Sequence, residues 1–339
     1  MKKYFKSLIK DKNMFNSIYV EEAAFRYPIT NSILNKYDGC PVIKIKHYKD
    51  VFNRSNQHFG IQKQHQSLIL AVKDKQFLYK GPDVCQNFGR ANFYYTSFLL
   101  NCIYNCEYCY LQGMYQSANL VAFVNIEDYK LAINDALSNG ALYLAVSYDT
   151  DLIAFNKVLP YLDHFYEFFE KKPDLEVEIR TKSANVDFYK NHKPLDNVIM
   201  AFTISPDKII KNYERLTPPL NSRIKAIKTA IEYGFKVRIC FDPIFIGDDL
   251  NDLYEPFFNH VFSEINSSYL FDVGYGFFRM SREFFRKIEK QYFSTQIFSD
   301  EYCRAGEVVS YRQELRDEFM RKHFQILNKY IDKEKIFIL

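Results

Sequence analysis

Residues 101–110 read NCIYNCEYCY. Cys102, Cys106 and Cys109 stand within eight positions, spaced C-x3-C-x2-C, in a chain with seven cysteines in all. An odd count in 339 residues argues against a disulfide framework, the device of small domains that cannot build a core. Clustered thiolates suit zinc or iron–sulfur. A closed zinc site takes four ligands, commonly as two paired knuckles. The chain has no second C-x-x-C and no H-x3-5-H, and Cys85 is an isolated candidate for a fourth ligand. Three cysteines on a four-iron cluster leave one iron open, which admits a small molecule.

The surroundings of the cluster set the fold. It follows directly on the apolar run FYYTSFLL (93–100). Further β-rich runs follow at LVAFVN (120–125), LYLAVS (142–147), EVEIRT (176–181), NVIMAFTIS (197–205), KVRICFDPI (236–244) and FDVGYGFF (271–278). Amphipathic stretches separate them. Residues 127–138 place Leu131, Ala132, Ala136 and Leu137 on one helical face, with Gly140 behind as a cap. Residues 222–233 repeat the device with Ile224, Ile227, Ala230, Ile231 and Gly234. Helix, glycine, strand, repeated, predicts parallel βα units closing into a full or partial barrel. Active residues of such barrels lie at the C-terminal ends of the strands, where the cysteine loop falls.

Ahead of this lies a different rhythm. Residues 19–36 predict a helix in two pieces broken near Pro28, PVIKIK (41–46) a strand, and 67–72 with 76–79 a hairpin. The division expected is an α+β cap over 1–90, then a βα barrel with a C-terminal helical extension over 91–339. Hydrophobic content of 47% suffices for a large core, and no apolar run reaches the length of a membrane span. The basic start MKKYFKSLIKDKNMF lacks the apolar block of a secretory signal, so a cytoplasmic location is expected. A net charge of +4 permits contact with nucleic acid without arguing for it.

C-x3-C-x2-C after the first barrel strand, with the aromatic Tyr108 before the last cysteine, resembles the signature of the radical S-adenosylmethionine (SAM) superfamily. NCEYCYLQ (105–112), YVEEAAFRYPITNSIL (19–34), VEIRTKSANVDF (177–188), AFTISP (201–206), YERLTPPLNSRIKAIKTAIEYGFKV (213–237) and FFRMSREFFRKIEKQY (277–292) narrow the resemblance to its spore photoproduct lyase family. The likeness covers roughly residues 18–330.

What it implies is a partial (β/α)6 barrel of α/β class, with a 4Fe-4S cluster on Cys102, Cys106 and Cys109. SAM chelates the open iron and is reductively cleaved to a 5′-deoxyadenosyl radical. In the family that radical takes a hydrogen from a thymine dimer in DNA, the bridge breaks, and a cysteine returns a hydrogen. Tyr108 and Tyr110 match tyrosines implicated in radical return. Lys182, Thr203 and Ser147 match positions near SAM, and Glu214 one that orients SAM or braces the barrel, with Arg223 as its partner. The electron donor implied is a flavodoxin or ferredoxin.

One segment departs from the family. Where the family has Cys-Thr-Ser-Asp with its hydrogen-donor cysteine, this chain reads LAVSYDTDLIAF (144–155). Anchoring on Asp151 puts Tyr148 at the donor position, and a one-residue shift puts Ser147 there. Neither is a thiol. Cys303, in SDEYCRAGEVVSYR (299–312), is a candidate displaced donor or a buried structural cysteine. Asp149 and Asp151 read as helix caps, substrate contacts or both. Two functional classes stay open: a radical SAM enzyme, acting on a DNA photoproduct or on another C–H bond, and a metal-holding module that grips nucleic acid without catalysis.

Overall fold

The computed structural model describes residues 14–247, 249–292, 295–299, 302–304 and 306–338. The basic start, residues 1–13, lies outside the described residues, as do positions 300, 301 and 305 beside Cys303.

Two sheets carry the fold. The larger curls as a half-barrel. Six strands run parallel in the order Phe93–Tyr95, Leu142–Ala145, Leu175–Thr181, Val198–Thr203, Lys236–Ile244 and Leu270–Phe277. Ile336–Ile338 adds a parallel strand at one edge, and Tyr79–Lys80 an antiparallel one at the other. The interior strands are rich in Val, Ile and Leu and buried on both faces, as parallel sheets covered by helices require. The expected α/β half-barrel is present.

The helices Ile126–Leu137 and Leu220–Glu232 pack outside this sheet, and Gly140 and Gly234 end their turns with φ of 125° and 80°. The second helix buries Ile224, Ile227 and Ala230 as expected. The first buries Ile126, Tyr129 and Ile133 instead, and Leu131 points to solvent. Periodicity alone admitted both faces; the larger aromatic and β-branched face won.

The smaller sheet has the order Val42–Ile45, Ile18–Glu21, Leu68–Ala71, Leu120–Phe123, Leu99–Leu100. This revises three expectations. Ile18–Glu21 is a strand rather than the start of a helix, and the helix begins at Pro28. Residues 68–71 and 79–80 form no hairpin but enter different sheets. The run 93–100 is two strands: after Phe93–Tyr95 the chain leaves the barrel, and Leu99–Leu100 pairs with Leu120–Phe123. Strands on both sides of residue 90 thus enter both sheets. The two sheets share one continuous apolar core, and the cysteine segment leaves the smaller sheet after Leu99–Leu100 and rejoins it at Leu120–Phe123.

Candidate active site

The cysteine loop is pinned from both sides. Asn105–Cys106 pairs antiparallel with Glu214–Arg215, and the Glu107 amide donates to the Tyr213 carbonyl at 2.8 Å. Arg215 caps the Glu107 carboxylate. From the end of the short helix Phe59–Gln62, Lys63 Nζ donates to the carbonyls of Cys102 and Tyr104, the latter at 2.7 Å. Gln66 donates to the Cys102 carbonyl at 3.3 Å and to that of Ala118 at 2.6 Å. Behind the loop a short helix, Leu111–Met114, starts at once, and Gln112 Nε2 donates to the Cys106 carbonyl at 2.6 Å. Buried backbone carbonyls in an irregular loop need such partners.

Cys102, Cys106 and Cys109 line one cavity, shared with Lys63, Tyr104 and Gln112. Among the described residues no three His, Cys, Asp or Glu side chains converge on a point as they do around a single ion. A cubane cluster takes its cysteines at separate corners, so ligands around one cavity fit it. Burial pushes the Cys102 thiol up to about 12 and raises those of Cys106 and Cys109, with Lys63 or Lys182 acting the other way. Metal binding supplies the charge that turns such thiols into thiolates.

Next to the cysteines lies a buried polar line. Tyr108 donates its hydroxyl to Glu214, whose carboxylate is held by Arg223 and by Ser205 at 3.1 Å. Arg223 also donates to the carbonyls of Thr203 at 3.2 Å and Pro218 at 3.0 Å. The expected Glu214–Arg223 pair is present. Burial alone raises a carboxylate, but Arg223 and Lys182 outweigh it and hold Glu214 at about 2. Asn221 lies inside the helix rather than capping it, because the helix starts earlier, at Leu220.

Lys182 ends a barrel strand, and its amide donates to Asp151 Oδ2 at 2.7 Å. Its ammonium sits 5.3 Å from the centre of the Tyr108 ring. Burial lowers the ammonium pKa, and Glu214 with Cys106 more than restores it, so Lys182 stays a half-buried cation beside the cysteines. Ser147 Oγ is buried with no hydrogen-bond partner among the described residues. An orphaned hydroxyl at a strand end is a fitting contact for a bound molecule. Thr203 is buried at the end of its own strand.

Asp149 and Asp151 divide their work. Asp151 caps the helix Leu152–Phe155 through the Ala154 amide at 2.9 Å and accepts from Thr181 at 2.8 Å. Asp149 accepts from Ser97, from Tyr110 at 3.2 Å and from Tyr115 at 3.2 Å. Tyr110 also donates to the Tyr148 carbonyl at 2.7 Å. Cys303 bridges Ser310 through its backbone, in the two-stranded arm that holds Arg279–Ser281.

Three participants escaped the sequence reading. Lys63 carries no motif and reaches the loop from 41 residues away. Arg180 and Asp242 stand at barrel strand ends and pair at 3.5 Å, and Arg279 chelates Asp242 at 2.8 and 3.1 Å. Arg279 therefore belongs to the barrel mouth. The alternation of charged and apolar residues in EVEIRT and KVRICFDPI was the available signal: a charge inside a buried strand needs a partner.

Comparison with known proteins shows the family. A family model described as "Spore photoproduct lyase" matches residues 14–334. The spore photoproduct lyase of Bacillus subtilis (strain 168) is 24% identical over 302 residues, 85% of each chain. That of Clostridium acetobutylicum is 23% identical over 252 residues, 72% of this chain and 73% of its own. A solved spore photoproduct lyase complexed with dinucleoside spore photoproduct superposes with a TM-score of 0.82 at 17% identity, covering 97% of this chain and 99% of that one. A mutant spore photoproduct lyase with bound AdoMet and dinucleoside spore photoproduct superposes at 0.78 and 18%, covering 96% and 98%. At such identities the structures establish the fold; the match of the family model over nearly the whole length establishes kinship, and the chain belongs to the spore photoproduct lyase family.

Proposed function

We propose that this chain is a radical SAM enzyme that reverses a thymine photoproduct in DNA. The observation that carries the reading is the convergence of Cys102, Cys106 and Cys109 on one cavity, with the half-buried Lys182 cation beside them. When bound, the 4Fe-4S cluster and SAM supply a 5′-deoxyadenosyl radical.

The protein's own residues bind, orient and insulate. Cys102, Cys106 and Cys109 hold three irons. Lys182 would pair with the SAM carboxylate, and the free Ser147 hydroxyl and Thr203 line neighbouring strand ends. Glu214 and Arg223 keep the Tyr108 hydroxyl oriented, and Asp149 does so for Tyr110. Both tyrosines flank the last cluster cysteine, where a radical-return role places them. Arg180, Asp242 and Arg279 ring the barrel mouth; there they exclude bulk water and orient polar groups of a nucleotide. Lys63 and Gln66 brace the cluster loop, which makes the 1–90 segment part of the site rather than a separate cap.

A one-electron donor of flavodoxin or ferredoxin type is the partner this chemistry needs. The described residues contain no helix long and apolar enough to cross a membrane. Free thiols and an oxygen-sensitive cluster suit a cytoplasmic setting. A second reading keeps the radical machinery and changes the substrate to another C–H bond; Tyr148 in place of a thiol favours it.

One experiment separates these readings. Reconstituted protein is given SAM, dithionite and a dinucleotide carrying the photoproduct, and products are followed by mass spectrometry. Restored thymines support the repair reading. Formation of 5′-deoxyadenosine with the photoproduct intact moves the substrate elsewhere.

A further inference from the structure

Anchoring on Asp151 puts Tyr148 at the family's donor position, and the fold brings a thiol to that tyrosine. Cys85 Sγ lies 3.3 Å from the Tyr148 hydroxyl, although 63 residues separate them. The Tyr148 ring stacks on Tyr95 with centroids 4.0 Å apart. Tyr148 then leads toward the cluster: its ring centre is 5.8 Å from that of Tyr110, which adjoins Cys109. Cys85 is half-buried, so it is shielded yet not sealed in the core. Burial raises its thiol pKa, and the Tyr148 hydroxyl, Arg279 and Arg180 of the barrel mouth act the other way. The segment is tied there by Arg279 Nε donating to the Val84 carbonyl at 2.8 Å. Cys303, by contrast, hydrogen-bonds through its backbone to Ser310, at 2.8 and 3.3 Å.

Resting on the photoproduct reading above, we propose that Cys85 is the hydrogen-atom donor of this enzyme and that Tyr148 is its positioning partner and radical acceptor. The step balances within the protein. The Cys85 S–H bond breaks homolytically and a C–H bond forms on the substrate carbon radical left when the bridge opens. Sulfur keeps the unpaired electron. The Tyr148 O–H bond then breaks homolytically, the S–H bond is restored, and the unpaired electron rests on the phenoxyl group. Sulfur and phenol bonds to hydrogen are close in strength, so the exchange runs either way across a contact already at hydrogen-bond distance. The thiol lost from position 148 is thus replaced by one from a different segment, with a tyrosine filling the space between.

The test uses the reconstituted holoenzyme, SAM, dithionite and the photoproduct dinucleotide in D2O, where the thiol carries deuterium. Wild type is expected to yield thymine dinucleotide bearing a single deuterium. In Cys85→Ala and Cys85→Ser the fraction of consumed photoproduct that ends as deuterated thymine falls by at least about tenfold, with iron content and 5′-deoxyadenosine formation retained. The donor assignment is overturned alone if both Cys85 variants deliver deuterium as wild type does, or if Cys303→Ala abolishes delivery. If wild type consumes no photoproduct, the repair reading fails, and the donor role with it.

A second readout needs no turnover. Alkylation of Cys85 by iodoacetamide in the unloaded protein, followed on the 81–90 peptide, should slow about two- to tenfold at pH 8 in Tyr148→Phe, because the hydroxyl no longer stabilises the thiolate. An unchanged rate overturns the contact.

Discussion

Lys63 Nζ stands 2.7 Å from the carbonyl oxygen of Tyr104, inside the loop that carries the three cluster cysteines. Its ammonium also takes the Cys102 carbonyl, so one side chain ties two backbone oxygens of the loop. Lys63→Met removes both bonds and leaves the carbonyls buried. We expect the loop to loosen by about 1–3 kcal/mol and reconstituted protein to retain less iron after gel filtration. Iron assays at equal protein concentration check it. Full iron retention in Lys63→Met would show that the brace is dispensable.

Lys182 tests the SAM site separately from the cluster. Its ammonium lies over Tyr108 and beside the cysteines without being one of their backbone braces. Lys182→Met should leave iron content near wild type and weaken SAM binding about ten- to hundredfold, the range for loss of a charge-assisted hydrogen bond. Equilibrium dialysis with labelled SAM reads this directly. Equal affinity in the two proteins would remove Lys182 from the SAM site.

Gly113 is a packing test. A Cβ there would sit 2.6 Å from the Cα of Phe284 and 2.7 Å from its carbonyl oxygen, so the cluster helix and Arg282–Tyr292 approach backbone to backbone. Tyr292 adds a hydrogen bond to Gln112 at 3.0 Å across the same contact. Gly113→Ala must push one helix away, at a cost of about 1–3 kcal/mol. Thermal unfolding should show a lower Tm; an unchanged Tm would mean that the helices can part freely.

His323 gives a pH prediction away from the cluster. It is buried, with Nδ1 2.6 Å from the Tyr275 hydroxyl, among Tyr254, Phe258 and Phe319. Burial, with Lys322 acting the same way, lowers it from 6.5 to about 4. The folded state therefore favours the neutral ring. The stability this represents is fully present above pH 6.5 and is lost as pH falls toward 4, about 3 kcal/mol in all. Urea midpoints of wild type should drop across that window. His323→Leu should show a shallower slope there, and identical slopes would refute the assignment.

Much of the site was written locally. The C-x3-C-x2-C spacing defines a ligand set whatever the rest of the chain does, because a short loop holds those thiols within reach of one cluster. The barrel strands from 142 onward were legible because each is a β-rich run set off by an amphipathic helix and, after two of those helices, by a capping glycine. The pair Glu214–Arg223 was legible because nine residues across a tight turn leave two opposite charges little choice.

What the sequence by itself determined about this protein was its local chemistry: the three thiols, their flanking tyrosines, the parallel βα rhythm and the absence of a thiol at position 148. The tertiary structure alone decided the partners. Periodicity states which face of a strand is buried but not which strand lies beside it. That is why 93–100 reads as one run and folds as two strands in two sheets. For the same reason Lys63 under the cluster loop, Arg279 on Asp242 and Cys85 on Tyr148 are invisible until the sheets close. Each contact joins residues 37 to 63 positions apart, and only burial in a shared core brings such distant side chains to a fixed separation.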